Sequence, residues 1–342
     1  SMEKPGRVGI QVNLTDSGKP VTWACWDRNP NTGKYKGLPT LLQQSYPRYA
    51  LHAFQGQLQK GGRAVERDPD RAIDGAAFVL MLSLLADSHS DQLQREAMLA
   101  DVRAAVNAWL CLGGLGARTR RGCGSLSTDC EAPPDIGQLK GCHAGSEYVT
   151  GLSGTRYVLG PTMQDPTAAW KQSVDVYAAF RQMRDPGHPP TPGRSKWPEP
   201  DSIRRIEGRT PYAHQPRHPV QRGFPRADLG LPIVFHFRDR GDPDEHTLQP
   251  RRDGATRLAS PVITKALALP GGGYKPLIAV LQAPHAWAFG DLDLSGRGVP
   301  RAWIELTPEE RSRVEPLGGR DPRSAVLEFA RAKWNSQVKV LP

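Results

Sequence analysis

The stretch from Ala77 to Gly114 limits the possible folds more than any other part of the chain. Residues 77–86 (AFVLMLSLLA) are almost wholly apolar, are bounded by polar segments, and suit a central strand. From Asp91 the pattern changes period. Leu93, Ala97, Leu99, Val102, Val106, Trp109 and Leu110 recur at spacings of three and four, which predicts a helix with one face able to pack on a sheet. Gly113-Gly114 ends it, as a C-terminal glycine does. A strand, a helix and a glycine loop in that order call for an α+β fold.

The same alternation runs through the rest of the chain. Residues 9–14 (GIQVNL) predict a half-buried strand, and residues 46–58, with Tyr49, Leu51 and Phe54, a second extended segment. Residues 127–160 have no clear period and read as loops and short strands. Asp165–Arg184 predicts a helix capped by Asp165 and opened by Pro166. Residues 185–226, rich in proline, arginine and histidine, read as a long connector. Residues 231–237, 257–269 and 277–282 predict strands, and 321–335 a helix capped by Asp321. At 342 residues the chain exceeds what one core fills efficiently, so two domains are expected, 1–160 and 161–342.

A net charge of +10 favours polyanionic partners. No apolar run approaches the roughly 18 residues of a membrane span. Five cysteines, an odd number in a large chain, do not make a disulfide framework, and a reducing cytoplasm is the expected setting.

The segment 113–126 reads GGLGARTRRGCGSL: five glycines and three arginines in fourteen residues. Glycine lets backbone amides approach a ligand, and arginine pairs with phosphate oxygens through a planar fork. The segment is not a nucleotide P-loop, because the lysine followed by serine or threonine is missing, and it is not a dinucleotide fingerprint. A basic turn without a ligand has the same composition.

This string closely resembles the glycine-rich loop of the first Cmr subunit family, RAMP proteins of type III-B CRISPR effector complexes. YALHAFQG (49–56), LGLPIVFHF (229–237) and RLASPVITK (257–265) resemble further segments of that family, in the same order. The resemblance implies two ferredoxin-like (RRM-like, RAMP) domains packed together. It implies a non-catalytic subunit near the crRNA 3′ end that helps to capture target RNA in antiviral defence. Expected partners are crRNA, single-stranded target RNA and other Cmr subunits, with no cofactor and no metal. Carried over, the RNA-contacting residues are Gly113, Gly114, Gly116, Arg118, Arg120, Arg121, Gly122 and Gly124, with Arg257 and Lys265 facing the same groove. Two departures stand out. The family's opening strand, glycine turn and tryptophan- and arginine-rich helix is not found before Gly9, so the first domain is expected to be incomplete. Cys123 replaces a large apolar residue within the loop.

Other residues carry alternatives. Arg204, Arg205, Arg209, Arg217, Arg222 and Arg226 could track a phosphate backbone or form a solvated basic loop. Trp23, Trp26 and Tyr35 could stack bases or pack locally. Cys123, Cys130, Cys142 and His143 could bind zinc, although their spacing is looser than that of zinc motifs. His236 or His143 could serve an endoribonuclease as acid or base. Asp239, Asp242, Asp244 and Glu245 could hold a cation with His246, or form a hydrated acidic loop. A basic scaffold that touches only proteins is a third reading of the chain.

Overall fold

The computed structural model describes residues 8–84, 92–129, 135–139, 149–188, 193–211, 214–237, 239–251 and 256–342. The chain has an α+β architecture and divides into two units, 1–114 with 126–139, and 115–125 with 140–342. The partition differs from the one expected at 160, because the strand at 151–159 and the arginine loop both belong to the second unit. Among the described residues no helix is long and apolar enough to cross a membrane.

In the first unit, β1 (Val8–Asp16) pairs antiparallel with β2 (Ala77–Leu84). The register sets Ile10 opposite Leu82, Val12 opposite Leu80 and Leu14 opposite Phe78 on one face, while Val79 and Met81 stand exposed on the other, so the strand expected to be central is half of a two-stranded ribbon. On β1 the first of these faces is bare: Ile10, Val12 and Leu14 are 60–69% exposed. The helix α1 (Gln92–Leu112) follows as the 3.6-residue period predicts. Only its C-terminal end, Cys111 and Leu112, is fully buried, and Leu93 stands in solvent. The extended segment expected at 46–58 is instead a helical turn, Arg48–Leu51. Ala50 and Leu51 are both buried, which adjacent residues of a half-buried strand cannot be, and Pro47 suits the entry to a helix.

The second unit is built on a four-stranded antiparallel sheet. Its strands are β3 (Gly151–Leu159), β6 (Val262–Ala268), β7 (Tyr274–Gln282) and β10 (Lys339–Val340), in spatial order β6-β7-β3-β10. The helix α2 (Pro166–Arg181) lies between β3 and β6 in sequence, and α4 (Pro322–Trp334) between β7 and β10. The frame is therefore β-α-β-β-α-β. Both helices start where their caps predict: Asp165 accepts from the amides of Thr167 and Ala168, and Asp321 from those of Arg323 and Ser324. They touch each other while packing on β6, β7 and β3, so they share one side of the sheet. From Val262 to Leu267 every β6 residue is buried, which explains its continuous rather than alternating apolar pattern.

Two insertions form a second sheet. It comprises β4 (Ile233–Phe235), β5 (His246–Pro250), β8 (Leu292–Leu294) and β9 (Arg297–Val299), in the order β4-β5-β8-β9. Its core gathers Phe224, Leu231, Phe235, Leu248, Leu292 and Leu294. Ile203 of α3 (Glu199–Glu207) joins them, so the segment expected as an open connector contains a helix and buried charge. Arg204 bonds Asp242 at 2.8 Å and Asp201 at 3.1 Å, and Arg226 pairs with the fully buried Glu199. Arg205 donates to the carbonyls of His218 and Val220. These arginines hold proline-rich chain that has no periodic pattern of its own.

Candidate nucleic-acid interface

The glycine-arginine segment leaves α1 through Gly113 and Gly114. The Gly113 amide donates to Trp109 O at 2.8 Å, and a Cβ at Gly113 would lie 2.5 Å from the Trp109 ring. Gly114 O accepts from the Trp109 indole at 3.4 Å. From Leu115 the segment belongs to the second unit and closes on itself, with the Leu115 amide bonded to Gly124 O at 2.9 Å.

Two glycines in this turn are dictated by packing. Gly122 has φ +79°, and a Cβ there would meet the Trp170 ring at 2.6 Å and Thr264 O at 2.9 Å. Gly124 has φ +63°, and its Cβ would fall 1.8 Å from Leu115 O. The close approach permitted by these glycines is to the chain's own α2 and β6, and to the far side of the turn.

Arg121 is bound in the same way. It is 9% exposed, and its guanidinium donates to Val262 O at 2.6 Å, to Ser260 Oγ at 3.0 Å and to Tyr177 Oη at 3.3 Å. It also lies over the Tyr177 ring, 4.4 Å from the centroid, and its carbonyl accepts from the Trp170 indole. Arg120 donates to Ser260 O. β6 is an edge strand, and these two arginines occupy carbonyls at its start that would otherwise face outward unpaired.

The loop's charge is nevertheless concentrated. Burial, and then the neighbouring Arg121 cation, lower the pKa of Arg120. Burial raises the Tyr177 phenol, but the Arg181 and Arg121 guanidinium groups outweigh it and hold the group below its ordinary range. Leu115, Gly116 and Ala117 are exposed, Arg118 and Arg120 are half-buried, and Gly116 has open space where a Cβ would project. The candidate surface therefore narrows to 115–120.

The expectation for Arg121 is thus corrected, because its donors are spent inside the fold. Lys265 is corrected too: it is fully buried in β6, a strand covered on both faces, and cannot face a groove. Arg257 is exposed. Ser260, Tyr177 and Trp170, which hold the loop, were not marked as site residues by the sequence. Trp170 and Tyr177 lie within the helix expected at 165–184.

The remaining candidates separate. Trp23 is buried and donates to Asp70 O at 2.8 Å, a core role, and Trp26 donates to Arg67 O. Tyr35 is half-buried, with Arg28 over its ring. Cys130, Cys142 and His143 lie outside the described residues. Burial pushes the Cys123 thiol up to about 11, which keeps it protonated at neutral pH. The acidic cluster divides among partners: Asp244 pairs with Arg209, Glu245 with the exposed His236, and His246 with Glu207. His214, Asp239 and Asp242 bring three candidate ligand atoms within 4.8 Å, but Arg204 already occupies one Asp242 oxygen and supplies its countercharge.

No family model matches this sequence, and no curated protein matches it. Among solved structures, the chain is similar to Cmr1 from Pyrococcus furiosus in its apo form. The likeness has 14% identity and a TM-score of 0.40, and it covers 99% of this chain and 79% of that one.

Proposed function

We propose that this chain is an RNA-binding, non-catalytic subunit of a type III-B CRISPR effector complex, and that the turn at 115–120 contacts an RNA backbone. The observation that carries the reading is the turn's position. A closed, cationic glycine turn is anchored on the edge strand of a β-α-β-β-α-β sheet, and its tip, Leu115–Ala117, faces solvent. That strand order, with all neighbours antiparallel, supports reading the second unit as a ferredoxin-like domain of the kind found in RNA recognition motifs. Arg120 has another cation as its charged neighbour, so a phosphate beside it would relieve repulsion as well as form a hydrogen bond. The GGLGARTRRGCGSL resemblance supplies the specific assignment. With it come a place toward the crRNA 3′ end, a part in target capture, and other Cmr subunits as neighbours. The β4-β5-β8-β9 sheet is read as an insertion into the second RAMP domain.

The double variant R118A/R120A tests the reading, because it leaves the structural Arg121 in place. Binding to single-stranded RNA should weaken, and the slope of log affinity against log salt should fall by roughly 0.7 for each phosphate no longer neutralised. An unchanged affinity and slope in a folded variant would sink the proposal.

A further inference from the structure

A second polar recess lies in the second unit. It is a cleft of about 290 Å³ between the ends of β3 and β7 and the start of α4, and Arg156, Gln282, His285, Trp287, Arg311 and Arg323 line it. That volume is close to the lower limit for small-molecule sites, roughly 300 Å³, and suits one base rather than two.

Three features make it a built site. The rings of His285 and Trp287 stack with centroids 4.2 Å apart and planes 12° from parallel. The His285 side chain is 41% exposed and, with Trp287, lines the cleft. Asp228, which is fully buried, fixes that ring: its carboxylate accepts from His285 Nδ1 at 2.9 Å, from the Ala286 amide at 3.0 Å and from Arg323 Nη2 at 2.9 Å. In the neutral ring with Nδ1 as donor, Nε2 is the acceptor. Finally, Arg311 Nε and Arg323 Nε are buried and have no hydrogen-bond partner among the described residues. Such unpaired donors are costly but almost inaccessible, so the part of Arg311 that can meet an incoming acceptor is the outer guanidinium lining the cleft. The cleft's carboxylates are already committed, Asp321 to the amides that start α4 and Glu305 to Arg301. The cleft's three arginines, Arg156, Arg311 and Arg323, outnumber its two carboxylates, Glu305 and Asp321.

We infer that this cleft binds a single nucleotide of single-stranded RNA. The base extends the His285–Trp287 stack, a phosphate oxygen accepts from Arg311, and the ribose 2′-hydroxyl donates to His285 Nε2. The inference rests on the RNA-binding reading but uses a surface apart from the 115–120 turn. Stacking is tolerant of base identity because every base has a π-face, so a weak base preference is expected.

The test uses the full chain, free adenosine monophosphate, and a single-stranded RNA carrying 2-aminopurine, whose fluorescence falls when the base stacks. Wild type should bind the mononucleotide and quench the labelled RNA. H285A and R311A, each verified as folded by circular dichroism, should lower mononucleotide affinity about tenfold, and H285A should remove the quenching. R118A/R120A should weaken RNA binding yet keep both the quenching at saturation and the mononucleotide affinity. If the mononucleotide does not bind, or binds H285A and R311A as well as wild type, the cleft assignment is overturned. RNA binding that is lost in R118A/R120A but unaltered in H285A and R311A would overturn the cleft while leaving the turn's assignment intact.

Discussion

Arg121 illustrates how a residue type that suggests a ligand can be absorbed by the fold. Its guanidinium joins the turn to the Val262 carbonyl, Ser260 and the Tyr177 ring. Replacing it with alanine would leave the Val262 carbonyl without that donor and remove the cation over Tyr177. R121A should therefore destabilise the second unit by about 1.5–3 kcal/mol, the range for a lost hydrogen bond from a charged donor, as read from urea unfolding. A stability equal to wild type would show that the staple is not formed. By contrast, R118A/R120A removes one anchoring bond, Arg120 to the Ser260 carbonyl, from half-exposed side chains and should move the unfolding midpoint less. The two variants thus separate holding the turn in place from using it.

At the scale of elements, the helices of the second unit depend on their first turns. Asp321 caps α4 through the amides of Arg323 and Ser324 and bonds the Ser324 hydroxyl. Burial raises its carboxyl, but the Ser324 bonds, the nearby Arg156 and the Arg323 amide outweigh it, so the group titrates below its ordinary range. A carboxyl lowered in the folded state binds its proton more readily when unfolded. Its contribution is complete well above its unfolded pKa, about 3.9, and is lost as pH falls through the folded value. D321A should cost about 1 kcal/mol at pH 7, and its difference from wild type should shrink as the pH is taken below 4. Urea titrations of both proteins at pH 7 and pH 3 check this; a gap that persists undiminished at low pH would contradict it. In the first unit, β1 and β2 form a ribbon, a type of element that is marginal by itself.

At the scale of the molecule, the exposed apolar residues of that ribbon are a liability. Ile10, Val12 and Leu14 form one row on β1, and β2 (AFVLMLSL) carries no charge to discourage edge pairing. The purified chain should associate as its concentration rises. V12K should lower light scattering at matched concentration without lowering the melting temperature, because Val12 is 60% exposed and contributes little to the core. Scattering that is unaffected by V12K would place the association elsewhere. The basic balance of +10 acts over the same scale, speeding encounter with RNA at low salt and fading as salt is added.

Local pattern alone located most of the elements. The periods of α1, α2 and α4, the Asp165-Pro166 and Asp321-Pro322 starts, and the apolar runs of β1, β2, β6 and β7 each follow from residues near one another in the chain. The long central strand β3 escaped because Gly154, Thr155 and Arg156 break its apolar pattern, and its place depends on β7 and β10 from far along the sequence. The helix at 199–207 escaped for a related reason, since Arg204 and Glu199 are buried only because Asp201, Asp242 and Arg226 come to meet them. Composition pointed to the glycine-arginine turn but could not say which cations face outward. That depended on the chain at the start of β6, some 140 residues away in sequence: it takes Arg121 inside, while Arg120, bonded to the Ser260 carbonyl, stays half-exposed. A side chain's chemistry is written in its residue type, whereas its availability depends on what the folded chain brings against it.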